Sequence, residues 1–448
     1  MSEIVVFFFP WKEISGGPYY LCNLANSLAD DKNYQVWYAD FTPGLSDDLI
    51  TNPNVHKMLY EEPFVFPIKE PVTIIVPIYC ASHIPRLPPR SKIVFLNWHN
   101  YCIQSLIDIW KVNEHDLQTF LSMAHDTHSV FFLDRAHWQA QNEWVKPINT
   151  YEFDEQYVPI IIESKPGQAK TELVDSSKVN IGVLGRLCRD KVWSVINLLD
   201  QLEQWNDPRP KNIHIIGDGE YFDMVANRKS LNNVRIIMRG TVTGSNLNEL
   251  LTEQVDILFA MGRSVLESAA LGLPSVVIPH NVAAFSIDKY AYLQNSTGYA
   301  LGWYDTQVDK MGLQYASLED VLSDIYNHHK KNELGQAALV YVKNNHFSNI
   351  DQLKAALCSS TLTYRIFRKF ARKQGRIKLG IFTIARLQTT IDESSRWVSL
   401  FGNPNLFQVH VGPHGYKFLL FGKPTSRFLL QKKDGKFHIY LRIPFIRI

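Results

Sequence analysis

The chain has 448 residues, 46% of them hydrophobic and 20% charged, with a formal net charge of +2, and this length predicts at least two domains. No stretch reaches the roughly 18 apolar residues that a membrane span needs, and the N-terminus lacks the basic region and cleavage site of a secretion signal. The five cysteines are scattered without a CxxC pair, which favours reduced thiols in the cytosol and no structural zinc.

The first 165 residues alternate short apolar strands with helical segments. The candidate strands are rich in β-branched and aromatic residues: "IVVFFF", "YQVWYA", "VTIIVPIY", "SKIVFLNW" and "HSVFFLD". Between the first two, Leu21, Leu24, Ala25 and Leu28 recur at helical spacing. This βαβ rhythm predicts a parallel, doubly wound sheet in a first domain, 1–165.

A polar stretch with Pro and Gly near residue 165 predicts a linker, and a second α/β series fills a second domain, 166–362. Its candidate strands are "VNIGVLG", "NIHIIGDG", "VRIIMRG", "VDILFA" and "PSVVIP". The intervening helices include "VWSVINLLDQLEQW", "NLNELLTE", "SVLESAALG" and "SLEDVLSDIYNHHKK". A second Rossmann-like domain is therefore expected.

The remaining segment, 363–448, is a basic extension. It holds 17 Lys and Arg against three acids, a net charge of +14, which leaves −12 for residues 1–362. Residues 364–377 place apolar and basic residues on opposite half-circles of a helix. Beyond them "FGNP", "FGKP" and "LRIP" recur every 20 residues, which predicts short β-hairpin-like repeats.

The basic amphipathic segment 364–377 suits the anionic surface of a membrane, where its apolar half-circle would add burial. The alternatives are packing on the acidic body of the chain, docking to another protein, and binding to nucleic acid. No RNA-binding motif supports the last alternative, so we expect no nucleic-acid partner.

Candidate ligand-binding residues lie at the carboxyl ends of strands, where open parallel sheets bind their ligands. Arg186 and Lys191 follow "VNIGVLG" and could hold a diphosphate, although a solvated surface pair is the alternative. Gly262 and Ser264 begin the helix that carries Glu267, and N–H groups at a helix start favour a phosphate. Glu267, one turn further, suits ribose hydroxyls, with a buried structural acid as the alternative.

Two weaker signals, "IIGDGE" and "MRGTV", end neighbouring strands with glycine, which alone indicates a tight turn. The order and spacing of all these features resemble the family-4 retaining glycosyltransferases of the GT-B fold, over about residues 1–360. That resemblance implies two Rossmann-like domains facing across a cleft. It also implies transfer of a sugar, with retention, from a UDP- or GDP-linked donor to an acceptor, without a metal or another cofactor.

The resemblance also implies roles for particular residues. In the family, the residues matching Arg186 and Lys191 bind the donor diphosphate and assist the reaction. The glycines matching Gly16 and Gly17 form the first loop at the cleft, where a simple tight turn is the alternative. A histidine after an N-domain strand approaches the reacting sugar, so His99 is a catalytic candidate, with a core histidine as the alternative.

One position departs from the family, because Phe259 stands where a second glutamate usually contacts the donor sugar. Two functions therefore stay open. The leading one is a cytoplasmic glycosyltransferase, peripheral on the inner face of the membrane, that extends a lipid-linked or oligosaccharide acceptor in surface polysaccharide or lipopolysaccharide synthesis. The alternative is a non-catalytic GT-B subunit that binds glycan or a partner enzyme.

Overall fold

The computed structural model describes residues 2–371, apart from 12–15, 62–63, 101, 111–112, 164–168, 230–232 and 348–349, and the backbone of seven strands between 376 and 441. The chain forms two compact units. The first comprises Met1–Phe131, Gln141–Gln156 and Leu353–Ile448, and the second comprises Phe132–Ala140 and Tyr157–Gln352. The domain boundaries near 165 and 362 stay a prediction.

The first unit is built on a six-stranded sheet. Its strands are β1 (Glu3–Phe8), β2 (Tyr34–Asp40), β3 (His56–Leu59), β4 (Thr73–Pro77), β5 (Lys92–Asn97) and β6 (Val130–Phe132). They follow the order β3-β2-β1-β4-β5-β6, and β1 to β5 pair in parallel. All of β4 and the last four residues of β1 are buried, as expected of parallel strands covered on both faces.

The helices of the first unit are α1 (Gly16–Leu28), α2 (Ser46–Leu49), α3 (Ser105–Trp110) and α4 (Glu114–Asp126), while α5 (Arg135–Val145) is divided, with Arg135–Ala140 in the second unit and Gln141–Val145 in the first. The helix α1 connects β1 to β2 and buries Leu21, Leu24 and Leu28, so the predicted βαβ unit is confirmed. Asn113 caps α4 by accepting a hydrogen bond from the Asp116 N–H at 2.8 Å.

The second unit repeats the arrangement. Its strands are β7 (Val179–Leu184), β8 (Lys211–Ile216), β9 (Val234–Gly240), β10 (Ile257–Ala260), β11 (Ser275–Val277) and β12 (Ala291–Tyr292). The order is β12-β11-β10-β7-β8-β9, with β12 antiparallel to β11. Counted along the chain within each unit, both sheets have the strand order 3-2-1-4-5-6 of dinucleotide-binding domains.

The helices of the second unit are α6 (Val192–Gln204), α7 (Phe222–Ala226), α8 (Gly244–Gln254), α9 (Arg263–Ala269), α10 (Leu318–Tyr326) and α11 (Lys331–Asn345). Ile257 and Phe259 of β10 pack in the core with α6 and α10, and Leu258 and Ala260 pack in the core with α8, α9 and α11. The sheet is covered on both faces, so the predicted α/β class with two Rossmann-like sheets is confirmed.

A buried ion pair connects α11 to the sheet of the second unit. Lys331 Nζ, on a side chain 3% exposed, lies 2.8 Å from Asp256 Oδ1, on a side chain with no exposure. Asn180 and the Tyr326 hydroxyl also donate to this carboxylate, each at 3.2 Å. The buried charge of Asp256 is therefore both paired and hydrogen-bonded, as a buried charge must be.

Two helices, α12 (Asp351–Ser359) and α13 (Tyr364–Ala371), follow the second unit. Phe367 and Phe370 of α13 are buried in the first unit, with ring centroids 5.8 Å from Phe95 and 5.3 Å from Phe120 respectively. The prediction of one helix through residue 377 is wrong at its end, because a strand begins at Arg376. Gly375 disfavours continuation of the helix, although residues 372–375 lie outside the described part.

The extension forms a seven-stranded antiparallel sheet in which every strand pairs with the next along the chain. The strands are β13 (Arg376–Leu379), β14 (Phe382–Thr389), β15 (Arg396–Leu400), β16 (Phe407–Gly412), β17 (Gly415–Leu420), β18 (Lys423–Lys433) and β19 (Lys436–Leu441). Three hairpin-like repeats were predicted here, and the structure has consecutive hairpins joined in one sheet. The first repeat motif, "FGNP" at 401–404, lies outside the described residues, as do 421–422 of the second motif and 442–444 of the third.

Candidate functional site

The loops that follow β7 and β8 are packed backbone against backbone. Gly185 N–H donates to the Ile216 carbonyl at 3.0 Å, and Leu187 N–H donates to the Asp218 carbonyl at 2.9 Å. A Cβ added to Gly217 would lie 2.0 Å from the Gly185 oxygen. The first glycine of the "GDG" turn, a weak signal in the sequence, is thus required because these two loops lie so close together. One of the two loops carries Arg186.

Arg186 and Lys191 lie on this packed loop at the carboxyl edge of the second sheet. Arg186 is exposed, and Lys191 is half-buried at the residue preceding α6. The Lys191 N–H donates to the Cys188 carbonyl at 3.0 Å, which fixes the backbone between the two cations. Burial acts to raise the pKa of Asp190, but a hydrogen bond with Cys188 and the charges of Lys191 and His280 lower it.

The loop that follows β10 contacts a segment further along the chain. Gly262 has φ +61°, in the left-handed region, and its N–H donates to the Leu301 carbonyl at 2.7 Å. A Cβ on Gly302 would lie 3.2 Å from Met261 Cβ and 3.7 Å from His280 Nδ1. The Gly262 N–H is therefore used within the protein, and Ser264, half-buried at the second position of α9, remains the predicted phosphate contact there.

Glu267 has a partner within its own helix. Arg263 Nε donates to Glu267 Oε1 at 3.0 Å, and the two side chains are 32% and 17% exposed. Because a carboxylate can accept several hydrogen bonds, this pair holds the orientation of Glu267 and does not exclude ribose hydroxyls as further donors. The sequence reasoning overlooked this ion pair, although its i,i+4 spacing is a recognisable signal.

Phe259, at the position of the usual second glutamate, belongs to the core. It is fully buried in β10, and its ring packs edge-to-face on Tyr290 with centroids 5.5 Å apart. A carboxylate at this place would enter an apolar layer without a partner, which is costly. Any contact to a donor sugar must therefore come from other residues.

The candidates of the first unit meet around an aromatic cluster. A Cβ added to Gly17, in the first turn of α1, would lie 3.1 Å from the Trp98 ring and 3.2 Å from the Phe9 ring. Trp98 directly precedes His99, which is exposed, so the alternative of a core histidine is excluded. A Cβ added to Gly16 would have no atom within 4 Å. Close packing therefore requires a glycine at position 17 but not at position 16.

Two residues of the second unit, Asp134 and His280, were not chosen as candidate site residues from the sequence. Asp134 Oδ1 accepts hydrogen bonds from the N–H and Nδ1 of His137, at 3.0 and 2.6 Å, and so caps α5. His280 comes three residues after β11, and its place after a strand is the signal that could have selected it.

Within the described part of the chain, no three His, Cys, Asp or Glu side chains cluster closely enough to hold a metal ion. Among the described helices, none combines the length and apolar composition needed to cross a membrane.

No protein-family model matches the chain, and no curated protein matches its sequence. Among solved structures, HepE of Anabaena in complex with UDP and glucose is similar over 80% of this chain and 100% of its own, at 13% identity with a TM-score of 0.48. The lipopolysaccharide outer core galactosyltransferase WaaB is similar over 80% and 99%, at 11% identity and 0.48. MurG of Acinetobacter baumannii is similar over 81% and 100%, at 10% identity and 0.34. Similarities at identities and TM-scores this low carry no argument, and any argument about function rests on the residues of the site.

Proposed function

We propose that the chain is a GT-B glycosyltransferase that moves a sugar from a nucleoside-diphosphate donor, with retention, onto a glycan acceptor. One observation carries the proposal: Arg186 and Lys191 lie at the carboxyl edge of a Rossmann-like sheet, on a loop fixed by backbone contact with Gly217. That edge is where such sheets bind nucleotides.

The two cations would serve the leaving group. Transfer of the sugar releases a nucleoside diphosphate, so negative charge grows on the phosphate oxygens in the transition state. Arg186 can hold them with a planar fork and Lys191 with a compact charge, which is electrostatic stabilisation without a metal. With retention by same-face attack, the leaving phosphate accepts the proton of the acceptor hydroxyl, and no protein nucleophile is needed.

Glu267 would bind the ribose. It lies one turn into α9, where its carboxylate is oriented by Arg263 at 3.0 Å and is 17% exposed. His99, exposed after Trp98 in the first unit, is proposed to approach the reacting sugar, and Gly16 and Gly17 to form the adjoining loop. Phe259 makes no such contact, so the donor sugar must be held by other groups, such as the backbone of 260–262.

The acceptor is proposed to be a lipid-linked or oligosaccharide glycan in surface polysaccharide or lipopolysaccharide synthesis, met in the cytoplasm at the inner membrane face. Phe367 and Phe370 already pack in the first unit, so α13 would contact lipid through Arg365, Ile366 and Lys369, all exposed. Each such cation contributes ~1 kcal/mol near an anionic leaflet.

The donor site is tested by a thermal-shift panel of UDP, GDP, ADP and CMP. At saturating nucleotide, one of them should raise the melting temperature by roughly 5–10 °C, from ~2.7 kcal/mol of linkage at a hundredfold excess over Kd. Glu267→Ala and Lys191→Ala should each weaken that binding at least tenfold, whereas Glu249→Ala, an exposed acid on α8, should not. No shift with any nucleotide would refute the donor site.

Membrane binding is tested by sedimentation with phosphatidylserine vesicles. The double variant Arg365→Gln with Lys369→Gln should bind less, and a chain truncated after residue 371 separates the contribution of the extension while keeping Phe367 and Phe370. Equal sedimentation of wild type and both variants would contradict the proposal.

The burial of Phe259 favours one second candidate, a non-catalytic subunit that binds glycan or a partner enzyme. The two candidates differ in turnover. A transferase consumes the sugar donor of the nucleotide that raises its melting temperature, whereas a non-catalytic subunit binds its glycan and consumes no donor.

A further inference from the structure

The antiparallel sheet of the extension has two faces that differ in composition. Residues directly paired in such a sheet lie on the same face, and successive residues of a strand alternate between the two faces. The pairing from β14 to β19 therefore places each paired residue on one face, and all the pairs give the same assignment.

One face, called the apolar face here, contains Val409 of β16 and Phe418 of β17. In β16, β17 and β19, every paired residue on this face is hydrophobic. The polar residues paired on this face lie at or beside strand ends: Thr389, Arg396, Lys423 and Lys432. The centre of the face is thus continuously hydrophobic.

The opposite face, called the basic face, carries Arg386, Lys417, Lys433 and Lys436 among its paired residues and no paired acid. Antiparallel sheets commonly have one face packed on a core and the other in water. The basic face suits water, so the apolar face is the one that requires a cover.

The apolar face is large. The strands β14 to β19, spaced by about 4.8 Å, span ~30 Å, and about six residues of 3.4 Å each span ~20 Å, which gives a face of ~600 Å². Monomeric proteins rarely expose a continuous apolar patch of more than a few hundred Å². A face of this size is therefore expected to be an interface.

The rest of the first unit does not supply the cover. Among its described helices and strands, none makes an extensive contact with the strands of the extension. Its exposed large hydrophobic residues, within the described ranges, are dispersed over the unit: Leu59, Val65, Ile107, Tyr151 and Ile366. Residues dispersed in this way do not form one surface that matches the apolar face.

A lipid bilayer is also a poor cover for the apolar face. An open sheet has unpaired backbone groups along its two edge strands, and lipid-exposed edges of this kind do not occur in the hydrocarbon of a membrane. The cations that anionic headgroups would attract are concentrated on the basic face, on the other side of the sheet. The helix α13 therefore remains the element proposed to contact lipid.

We propose that the apolar face is covered by the same face of a second copy of this chain. Two twisted sheets can pack face to face about 10 Å apart, with their strand directions within about 30° of each other. A twofold axis makes such an interface isologous, so one self-complementary surface supplies both halves. The two faces together measure ~1,200 Å², the lower end of the range for stable interfaces.

Charge and edge structure favour this arrangement. The two basic faces lie on the outside of the pair, further apart than the Debye length of ~8 Å at physiological salt, so their repulsion is weak. Pairing of sheet edges is less favourable, because β13 has four residues and two of them, Arg376 and Lys378, are basic. The inference does not depend on sugar transfer by the chain.

The test is sedimentation velocity of the purified full-length chain at increasing concentration. The chain should sediment with the mass of two copies at ~50 µM, since apolar interfaces of standard size give Kd values of micromolar or below. A single copy at every concentration up to that value would overturn the proposal.

Two matched double variants identify the face. Val409→Asp with Phe418→Asp, at directly paired positions of the apolar face, should raise the Kd of the dimer at least ~100-fold, because each copy would bury two unpaired carboxylates. Gln408→Asp with Leu419→Asp puts the same pair of acids on the same two strands of the basic face, and should leave the Kd within about threefold. Equal effects of the two variants on the Kd would contradict the proposal.

A photoreactive residue tests the interface without a charge that could disturb folding. The variant Phe418→p-benzoylphenylalanine should crosslink two copies on illumination, whereas the variant Lys417→p-benzoylphenylalanine, one residue away on the basic face, should not. Crosslinking from position 417 alone, or from neither position, would refute the face-to-face dimer.

The other possible covers give different results. If the wild type is a single copy and Val409→Asp with Phe418→Asp removes its sedimentation with phosphatidylserine vesicles, lipid covers the face and the proposal is wrong. If the wild type is a single copy and this variant melts at a lower temperature than Gln408→Asp with Leu419→Asp, another part of the same chain covers the face, and the proposal is equally wrong.

Discussion

The close approach of the loops after β7 and β8 allows a sharp test of their geometry. In Gly217→Ala the new Cβ would lie 2.0 Å from the Gly185 oxygen, where 3.0 Å is the practical minimum, so the loops must separate by about 1 Å. Overpacking costs ~1–3 kcal/mol, and alanine at φ +148° costs a further ~1–3 kcal/mol. We expect a total loss of ~2–6 kcal/mol, or roughly 5–20 °C in melting temperature.

The same displacement should reach the diphosphate contacts. Because Arg186 directly follows Gly185, a shift of about 1 Å should weaken nucleotide binding strongly, and misplacement of that size can cost ~10²-fold in activity. The assay is calorimetric binding of the nucleotide that stabilises the wild type, measured below the melting temperature of the variant.

Gly312→Ala is the matched control. Gly312 has φ +64°, but an alanine Cβ there would have no atom within 4 Å, so the backbone cost is present without the clash. It should lose ~1–2 kcal/mol of stability and keep full nucleotide affinity. If the Gly217 and Gly312 variants behave alike in melting temperature and in nucleotide affinity, the close approach of the loops is refuted.

Three further predictions concern stability, measured by urea unfolding. Phe367→Ala should cost ~3–5 kcal/mol because its ring is buried in the first unit, and a loss under about 1 kcal/mol would exclude that packing. Lys331→Ala should cost ~3–5 kcal/mol by leaving Asp256 buried and unpaired, and adding Asp256→Asn should recover part of the loss, which a purely steric effect would not. Burial lowers the pKa of His214 and His346 to about 4, so the unfolded chain binds more protons than the folded chain between about pH 6.5 and pH 4. Stability should therefore fall on acidification, by about 1.4 kcal/mol per histidine near pH 5.5, and His346→Gln should remove one such contribution from the pH profile.

The strands that form the two sheets could be predicted because each is a short apolar run bounded by polar or turn residues. Burial on both faces requires such runs, as in Val5 to Phe8. β3 was not predicted, since its four residues, His56–Leu59, are mixed in polarity and stay in the sheet through pairing with β2. The predicted helix through "NHHKK" ends at Tyr326, and His329 beyond it has φ +55°.

Only those candidate site residues that directly follow a strand could be predicted from the sequence. Arg186, Lys191 and Glu267 follow strands, so their placement at one edge of the sheet is a consequence of parallel topology. The contact of Gly217 with Gly185 and the Gly262–Leu301 hydrogen bond join residues about 30 and 40 positions apart. Such non-local contacts leave no periodic signal in the sequence.

The return of α13 to the first unit has a consequence for biosynthesis. Phe120 meets Phe370 only after about 250 further residues have been made, which takes roughly 12–50 s at typical rates of synthesis. The second unit is complete before α13 emerges, so it can fold first, while the surface around Phe95 and Phe120 waits uncovered. Chains released before residue 367 would expose this apolar surface and become targets for chaperones and proteases.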